Sequence, residues 1–233
     1  MTQAGSTTWN GLPRAAFDLE TTGTDPETAR IVTASVIVVN GKSEIVHHSE
    51  WLVDPGVEIP EAAAAVHGIT TEKARAEGQP AASAVAEIAA HLRDLFATMP
   101  VMAFNASYDF TVLNREAARH SVEPLTPAPV IDPLVIDRHV DKYRRGKRTL
   151  AAMAEFYQVP LNNAHTSLAD AAATVGVADA IAARYAEVRI DPFELHAAQV
   201  NWQQAWAANF QEFLRRKTPD AVVDGSWPLK PSF

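Results

Sequence analysis

The sequence predicts an α/β protein with a mixed, partly parallel sheet flanked by helices. Three strand-like segments in succession open the chain, and short apolar runs then alternate with longer stretches of helical period. Its 233 residues, 47% hydrophobic and 21% charged, suffice for one full core and a terminal extension.

Met1 to Gly11 is polar and has neither basic residues nor an apolar run, so residues 1–12 read as a flexible leader and not as a signal peptide. Ala15–Leu19, Ile31–Asn40 and Glu44–Val53 follow as strands, with Asn40-Gly41 marking a hairpin between the last two. Asp54-Pro55-Gly56 and Ile59-Pro60 break that pattern, and short helices are expected over Glu61–Val66 and Thr71–Ala76. Pro80 opens a longer helix, Ala81–Ala97, in which Val85, Ile88, Ala89, Leu92, Leu95 and Phe96 recur at helical spacing. The apolar run Val101–Phe104 reads as a buried strand that leads into a helix from Ala106 to His120. A fifth short strand ends near Ile131-Asp132. Leu134–Tyr143, Thr149–Tyr157 and Thr166–Val188 read as further helices. Past Asp191-Pro192, residues Leu195, Trp202, Trp206, Phe210 and Leu214 form an apolar, aromatic stripe on a last helix. Thr218 to Phe233 then reads as an irregular tail.

Composition excludes several classes of function. No run approaches the apolar length that spans a bilayer, so no membrane partner is expected, and the cytoplasm is the default compartment. The absence of cysteine excludes disulfides, thiolate metal sites and a cysteine nucleophile. A net charge of −8 argues against a protein that coats nucleic acid non-specifically, although enzymes that engage a strand end need only a short basic footprint.

Chemistry enters with Phe17-Asp18-Leu19-Glu20-Thr21-Thr22-Gly23. On a strand, residues i and i+2 share a face, so Asp18 and Glu20 project together, and two such charges repel unless a cation lies between them. Oxygen ligands of this kind suit Mg²⁺ or Mn²⁺. More acids follow in Asn105-Ala106-Ser107-Tyr108-Asp109-Phe110, after the fourth strand, and in His165-Thr166-Ser167-Leu168-Ala169-Asp170, which opens an alanine-rich helix. The order Asp-x-Glu, Asn-x-x-x-Asp, His-x-x-x-x-Asp resembles the three motifs of the DEDDh 3′→5′ exonucleases. Among them it looks most like the epsilon proofreading subunit of bacterial DNA polymerase III and its stand-alone relatives. Val66-His67-Gly68-Ile69-Thr70 is similar to an element that lies between the first two motifs in those proteins. The resemblance spans roughly residues 13 to 185.

That resemblance implies a ribonuclease-H-like fold: a mixed five-stranded sheet flanked by helices in an exonuclease domain of residues 13–188, with a helical C-terminal extension and tail over 189–233. It implies hydrolysis of phosphodiester bonds at single-stranded 3′ ends, DNA favoured, with release of nucleoside 5′-monophosphates. Two Mg²⁺ or Mn²⁺ ions about 4 Å apart would be held by Asp18, Glu20, Asp109 and Asp170, with Asp18 bridging them. His165 would serve as general base, a task that suits a side chain titrating near neutral pH. Alternatives are an exoribonuclease or oligoribonuclease-like enzyme and, outside catalysis, a polymerase-associated binding subunit.

Other residues carry further expectations. Asn105 is expected to cap the helix that follows it by accepting a backbone N–H bond. Phe110 fills the core or stacks against a terminal base. Thr21 meets the substrate's 3′ end, and His67 closes one wall of the nucleotide pocket or ties down a turn. In the run Lys142-Tyr143-Arg144-Arg145-Gly146-Lys147-Arg148, Arg144 and Arg145 are expected to contact phosphates, having no acid partner nearby in sequence. The aromatic C-terminal helix packs back on the domain or forms a homodimer or partner surface. No short glutamine-plus-aromatic clamp-binding peptide is present, which favours a stand-alone enzyme over a replisome subunit.

Overall fold

A computed structural model describes residues 8–161 and 164–231. Three long strands open the fold: β1 (Arg14–Thr21), β2 (Ile31–Val39) and β3 (Ile45–Asp54), paired antiparallel in sequence order. The β2–β3 connection is the expected hairpin, closed by Asn40 N–H to Glu44 O at 3.0 Å and by the Asn40 side chain, which accepts from Lys42 and Glu44. Helices α1 (Glu61–His67) and α2 (Thr71–Glu77) follow, then a two-residue strand β4 (Gln79–Pro80) and helix α3 (Ala81–Phe96). Strand β5 (Val101–Met102), helix α4 (Ala106–Arg119) and strand β6 (Val130–Ile131) complete the sheet. Its order is β4-β3-β2-β1-β5-β6, with β5 parallel to β1 and β6 parallel to β5.

Among the described residues the sheet thus has six strands and not five. The additional one, β4, pairs parallel with β3 over Val53 and Asp54 only, and two residues, one of them a proline, leave no alternating pattern to detect. Helices α5 (Pro133–Val140), α6 (Leu150–Tyr157), α7 (Ser167–Arg184) and α8 (Pro192–Arg215) follow. Part of the segment expected as a leader is packed into the fold. Residues 1–7 lie outside the described residues, but Trp9 is fully buried, and its Nε1–H donates to Val188 O at 2.7 Å.

Two cores lie on opposite faces of the sheet. Ala15, Phe17 and Leu19 of β1 pack with residues of α3 and α4, such as Val85, Ile88, Phe110 and Leu113. Ala16 packs with Ile37 and with Ala171, Val175 and Ala178 of α7. α8 is buried through Leu195, Gln199, Gln203 and Ala207, each one turn apart. Gln199 covers the outer edge of β6, accepting from Asp132 N–H at 2.7 Å and donating to Val130 O at 3.0 Å, while His196 Nδ1 accepts from Val130 N–H. Edge-strand donors and acceptors that would otherwise invite another chain are thereby satisfied. The tail is pinned as well: Trp227 is buried, with its Nε1–H donating to Asp132 Oδ2 at 3.2 Å.

Candidate active site

The alternation along β1 places the first two acids. Ala16 faces α7, so Asp18 and Glu20 continue that face while Leu19 points to the other core. β5 pairs with β1 only at Ala15 and Ala16, which leaves the later residues of β1 open on that side. There the Leu19 N–H donates to Asp109 Oδ1 at 3.1 Å. Asp109 stands in the first turn of α4, where the helix dipole favours an anion, and is only 4% exposed.

The fourth acid comes from α7. Buried Ser167 hydrogen-bonds the Ser35 hydroxyl at 2.6 Å and accepts from the Thr33 hydroxyl at 3.2 Å, fixing the start of this helix against β2. Asp170, in the first turn, then lies beside Glu20 and accepts from His165 N–H at 3.4 Å. His165 is exposed and has φ of 70°, a left-handed conformation that non-glycine residues adopt chiefly in turns and at functional sites. Glu20, His165 and Asp170 each offer a ligand atom, all within 4.8 Å of one another.

The carboxyl groups disturb one another. Burial pushes Asp18 well above the usual carboxylate range, and Asp109, Asp170 and Glu20 add to the shift. Glu20 is pushed up to about 7 by burial and then by Asp170. Asp109 is raised by burial against the opposing pull of the Leu19 N–H, and Asp170 is raised by burial against the pull of His165. Four carboxyls from three elements that resist joint ionisation form a donor set of hard oxygens, with one imidazole at its edge. That set fits a hard divalent cation, whose charge would relieve the repulsion.

A cavity of about 650 Å³ opens beside Glu20 and is lined by Thr21, His67, Asn105 and Tyr108, a size suited to a small ligand. The Thr21 hydroxyl donates to Gly23 O at 2.8 Å and hydrogen-bonds the Tyr108 hydroxyl, which also reaches Gly23 O. His67 Nδ1 accepts from Ile69 N–H at 3.2 Å, so this residue both ties its turn and lines the cavity. Sequence reasoning missed Tyr108, although its place next to Asp109 on a helical first turn was a usable signal.

Three expectations are corrected. Phe110 is fully buried between Phe17 and Phe96, with centroids 5.6 and 5.8 Å away, so it is a core residue out of reach of any base. Asn105 occupies the cap position of α4 in a left-handed conformation, and its side chain makes no cap bond. Asp132 does that work, accepting from Asn105 N–H at 3.0 Å and Ala106 N–H at 2.9 Å. Arg144 does have an acid partner: buried Asp137 binds its Nη2 at 2.6 Å and also Arg148 Nε at 2.7 Å and the Tyr157 hydroxyl at 2.7 Å. Arg144 is therefore a structural anchor. Arg145 is exposed, with no ion pair among the described residues. Arg148, held by Asp137, lines a second cavity of about 410 Å³ together with Asp18, Asp109 and Arg138.

Residues 15–178 match the RNase_T exonuclease family, well over half of the chain. The chain belongs to that exonuclease family. This agrees with the resemblance to DEDDh-type 3′→5′ exonucleases carried by the three acidic motifs. The exonuclease domain is 30% identical over 167 residues to a DNA polymerase III subunit epsilon-like protein of Rhodobacter capsulatus, covering 70% of this chain and 23% of that protein. Its fold is shared with E. coli exonuclease I in complex with a dT13 oligonucleotide (TM-score 0.64, 20% identity) and with an exonuclease I from Methylocaldum szegediense (TM-score 0.61, 20% identity). Each likeness covers 76% of this chain and 42% of the other, so the chain spans less than half the length of these relatives. Among the described residues, no helix is long and apolar enough to cross a membrane.

Proposed function

We propose that this chain is a 3′→5′ exonuclease that removes nucleoside 5′-monophosphates from single-stranded DNA ends with the help of two divalent ions, Mg²⁺ or Mn²⁺. The observation that carries this reading is the convergence of Asp18, Glu20, Asp109 and Asp170, whose carboxyls are all held above their ordinary titration range by burial and, for Asp18, Glu20 and Asp109, by neighbouring acids as well. Asp18, whose carboxyl is raised by Asp109, Asp170 and Glu20 together, would hold the ions jointly with those three acids. When bound, such ions would neutralise the acids and polarise the scissile phosphate toward attack.

The chain's own residues supply the rest. His165, exposed beside Glu20 and Asp170, takes the proton from the attacking water as its oxygen bonds to phosphorus. The bond from phosphorus to the 3′-oxygen of the penultimate sugar breaks, and that oxygen acquires a proton from solvent. Thr21 and Tyr108, linked through their hydroxyls, form the wall against which the terminal nucleotide rests, and His67 lines the same cavity. Asp137 holds Arg148 at the mouth of the neighbouring cavity, where its charge meets the incoming backbone.

The test uses paired DNA and RNA strands of one sequence, labelled at the 5′ end, with either a free 3′-hydroxyl or a blocked 3′ end. The reading expects stepwise shortening of the free strand, faster for DNA, with chromatography showing 5′-monophosphates. Faster RNA shortening would move the assignment to an exoribonuclease. Internal cleavage of the blocked strand would overturn it.

A further inference from the structure

Arg138 lines two cavities at once. One holds Asp18 and Asp109; the other, of about 200 Å³, is walled by Trp202 and Trp206 of α8. The Arg138 guanidinium lies 3.7 Å from the centroid of the Trp206 ring. Among the described residues it forms no salt bridge, because the nearby acids are engaged elsewhere: Asp132 caps α4 and Asp137 holds Arg144 and Arg148. Its donors remain available while its flat face rests on an indole.

From Trp206 the aromatic surface continues along α8. Trp206 and Phe210 stack at 5.2 Å with 19° between planes, and Phe210 and Phe213 at 6.3 Å with 13°. Phe210 is 38% exposed and Phe213 58%, whereas α8 is attached to the domain by Leu195, Gln199, Gln203 and Ala207. The exposed rings therefore contribute little to holding the helix. Beyond them Arg216 and Lys217 stand exposed, and Glu212 is the sole acid between Asn201 and Lys217.

We propose that this face of α8 is a binding track for the single strand upstream of the 3′ end, running from Arg138 and Trp206 over Phe210 and Phe213 to Arg216 and Lys217. Planar, sequence-tolerant stacking surfaces bracketed by cations fit a polyanion that carries flat bases. A protein partner's apolar face would have no use for the cations at both ends, nor for continuity with the acid-bearing cavity. The direction of the strand rests on the exonuclease reading; binding itself does not. The rings are too close for a base to intercalate, so bases lie against the exposed edge and outer face of the ladder. The track gives this short chain a hold on substrate beyond the terminal nucleotide.

The test is a fluorescence-anisotropy titration of labelled oligothymidylate with the full chain in EDTA, where no cleavage occurs. Replacing Phe210 and Phe213 together by Ala is expected to weaken binding about 5- to 100-fold, the range for losing one or more stacked bases. Strand binding should also quench tryptophan emission, and Trp206→Phe should remove much of that quench. If the double alanine variant melts early, Arg216→Glu with Lys217→Glu must weaken binding and flatten its salt dependence. Wild-type affinity in a folded Phe210/Phe213 variant, or in the charge-reversed variant, overturns the proposal. So does a change of oligomeric state in sedimentation without a change in strand affinity. Because the titration reads no hydrolysis, a chain that fails to digest DNA but binds through these residues would sink the exonuclease reading and leave the track standing.

Discussion

The N–H of Leu19 donates to Oδ1 of Asp109 at 3.1 Å, midway between the two acids of β1. One bond thereby sets the distance between α4 and the strand that carries Asp18 and Glu20, in the gap left where β5 ends. Asp109→Asn preserves an acceptor for Leu19 but removes a charge. Activity with Mg²⁺ or Mn²⁺ is expected to vanish. The metal-free protein should melt higher, by about 2–4 °C per kcal/mol of relieved repulsion. Activity close to wild type would remove Asp109 from the metal set.

The raised carboxyls make the metal-free protein sensitive to pH. A carboxyl whose folded pKa exceeds its unfolded value binds its proton more tightly when folded, so stability falls as pH rises between the two values. For Glu20 that window runs from the ordinary glutamate range to about 7. Thermal melts in EDTA are expected to fall from about pH 5 to about pH 8, and added Mg²⁺ or Mn²⁺ should raise the melting temperature more at the higher pH. A metal-induced rise of equal size at both pH values would count against a cation held by these acids.

His165 can act as base or as ligand, since its ring lies within ligand distance of Glu20 and Asp170. The base assignment expects His165→Ala to lower turnover by roughly 10²- to 10⁴-fold while calorimetry shows Mn²⁺ affinity nearly unchanged. A large loss of Mn²⁺ affinity in this variant would assign the imidazole to the metal.

The basic run divides into two roles. Arg144 is 8% exposed and paired to a fully buried acid, so Arg144→Ala should cost about 1–3 kcal/mol of stability, limited because Arg148 and Tyr157 still satisfy Asp137. Arg145→Ala should leave the melting temperature alone, raise KM, and reduce the log–log salt slope by about 0.7 for one lost phosphate contact. An early melt for Arg145→Ala, or none for Arg144→Ala, would reverse the division.

Much of the site was legible because local geometry encodes it. Asp18 and Glu20 share a face by strand alternation, and Asp109 and Asp170 each stand in the first turn of a helix the pattern located. What escaped depends on contacts between distant segments. Asp137 captures Arg144 and Arg148 only because α5 stops at Val140 and the loop folds back over it. Asp132 replaces Asn105 as the cap of α4 because β6 ends beside β5, a parallel pairing that periodicity does not reveal. Phe110 follows Asp109 by one residue, a rotation of about 100° round the helix, and there it meets Phe17 in the core while Asp109 meets the Leu19 N–H. Trp9 is held by Val188, a partner nearly the whole chain away.

The most direct measurement of the central claim compares the wild-type chain with Asp18→Asn on a 5′-labelled single strand, across a titration of Mn²⁺. The account predicts a ladder shortening from the 3′ end that appears with Mn²⁺, disappears in EDTA, and is absent from Asp18→Asn at every Mn²⁺ concentration. A ladder that persists in EDTA, or one that Asp18→Asn produces at the wild-type rate, would contradict it.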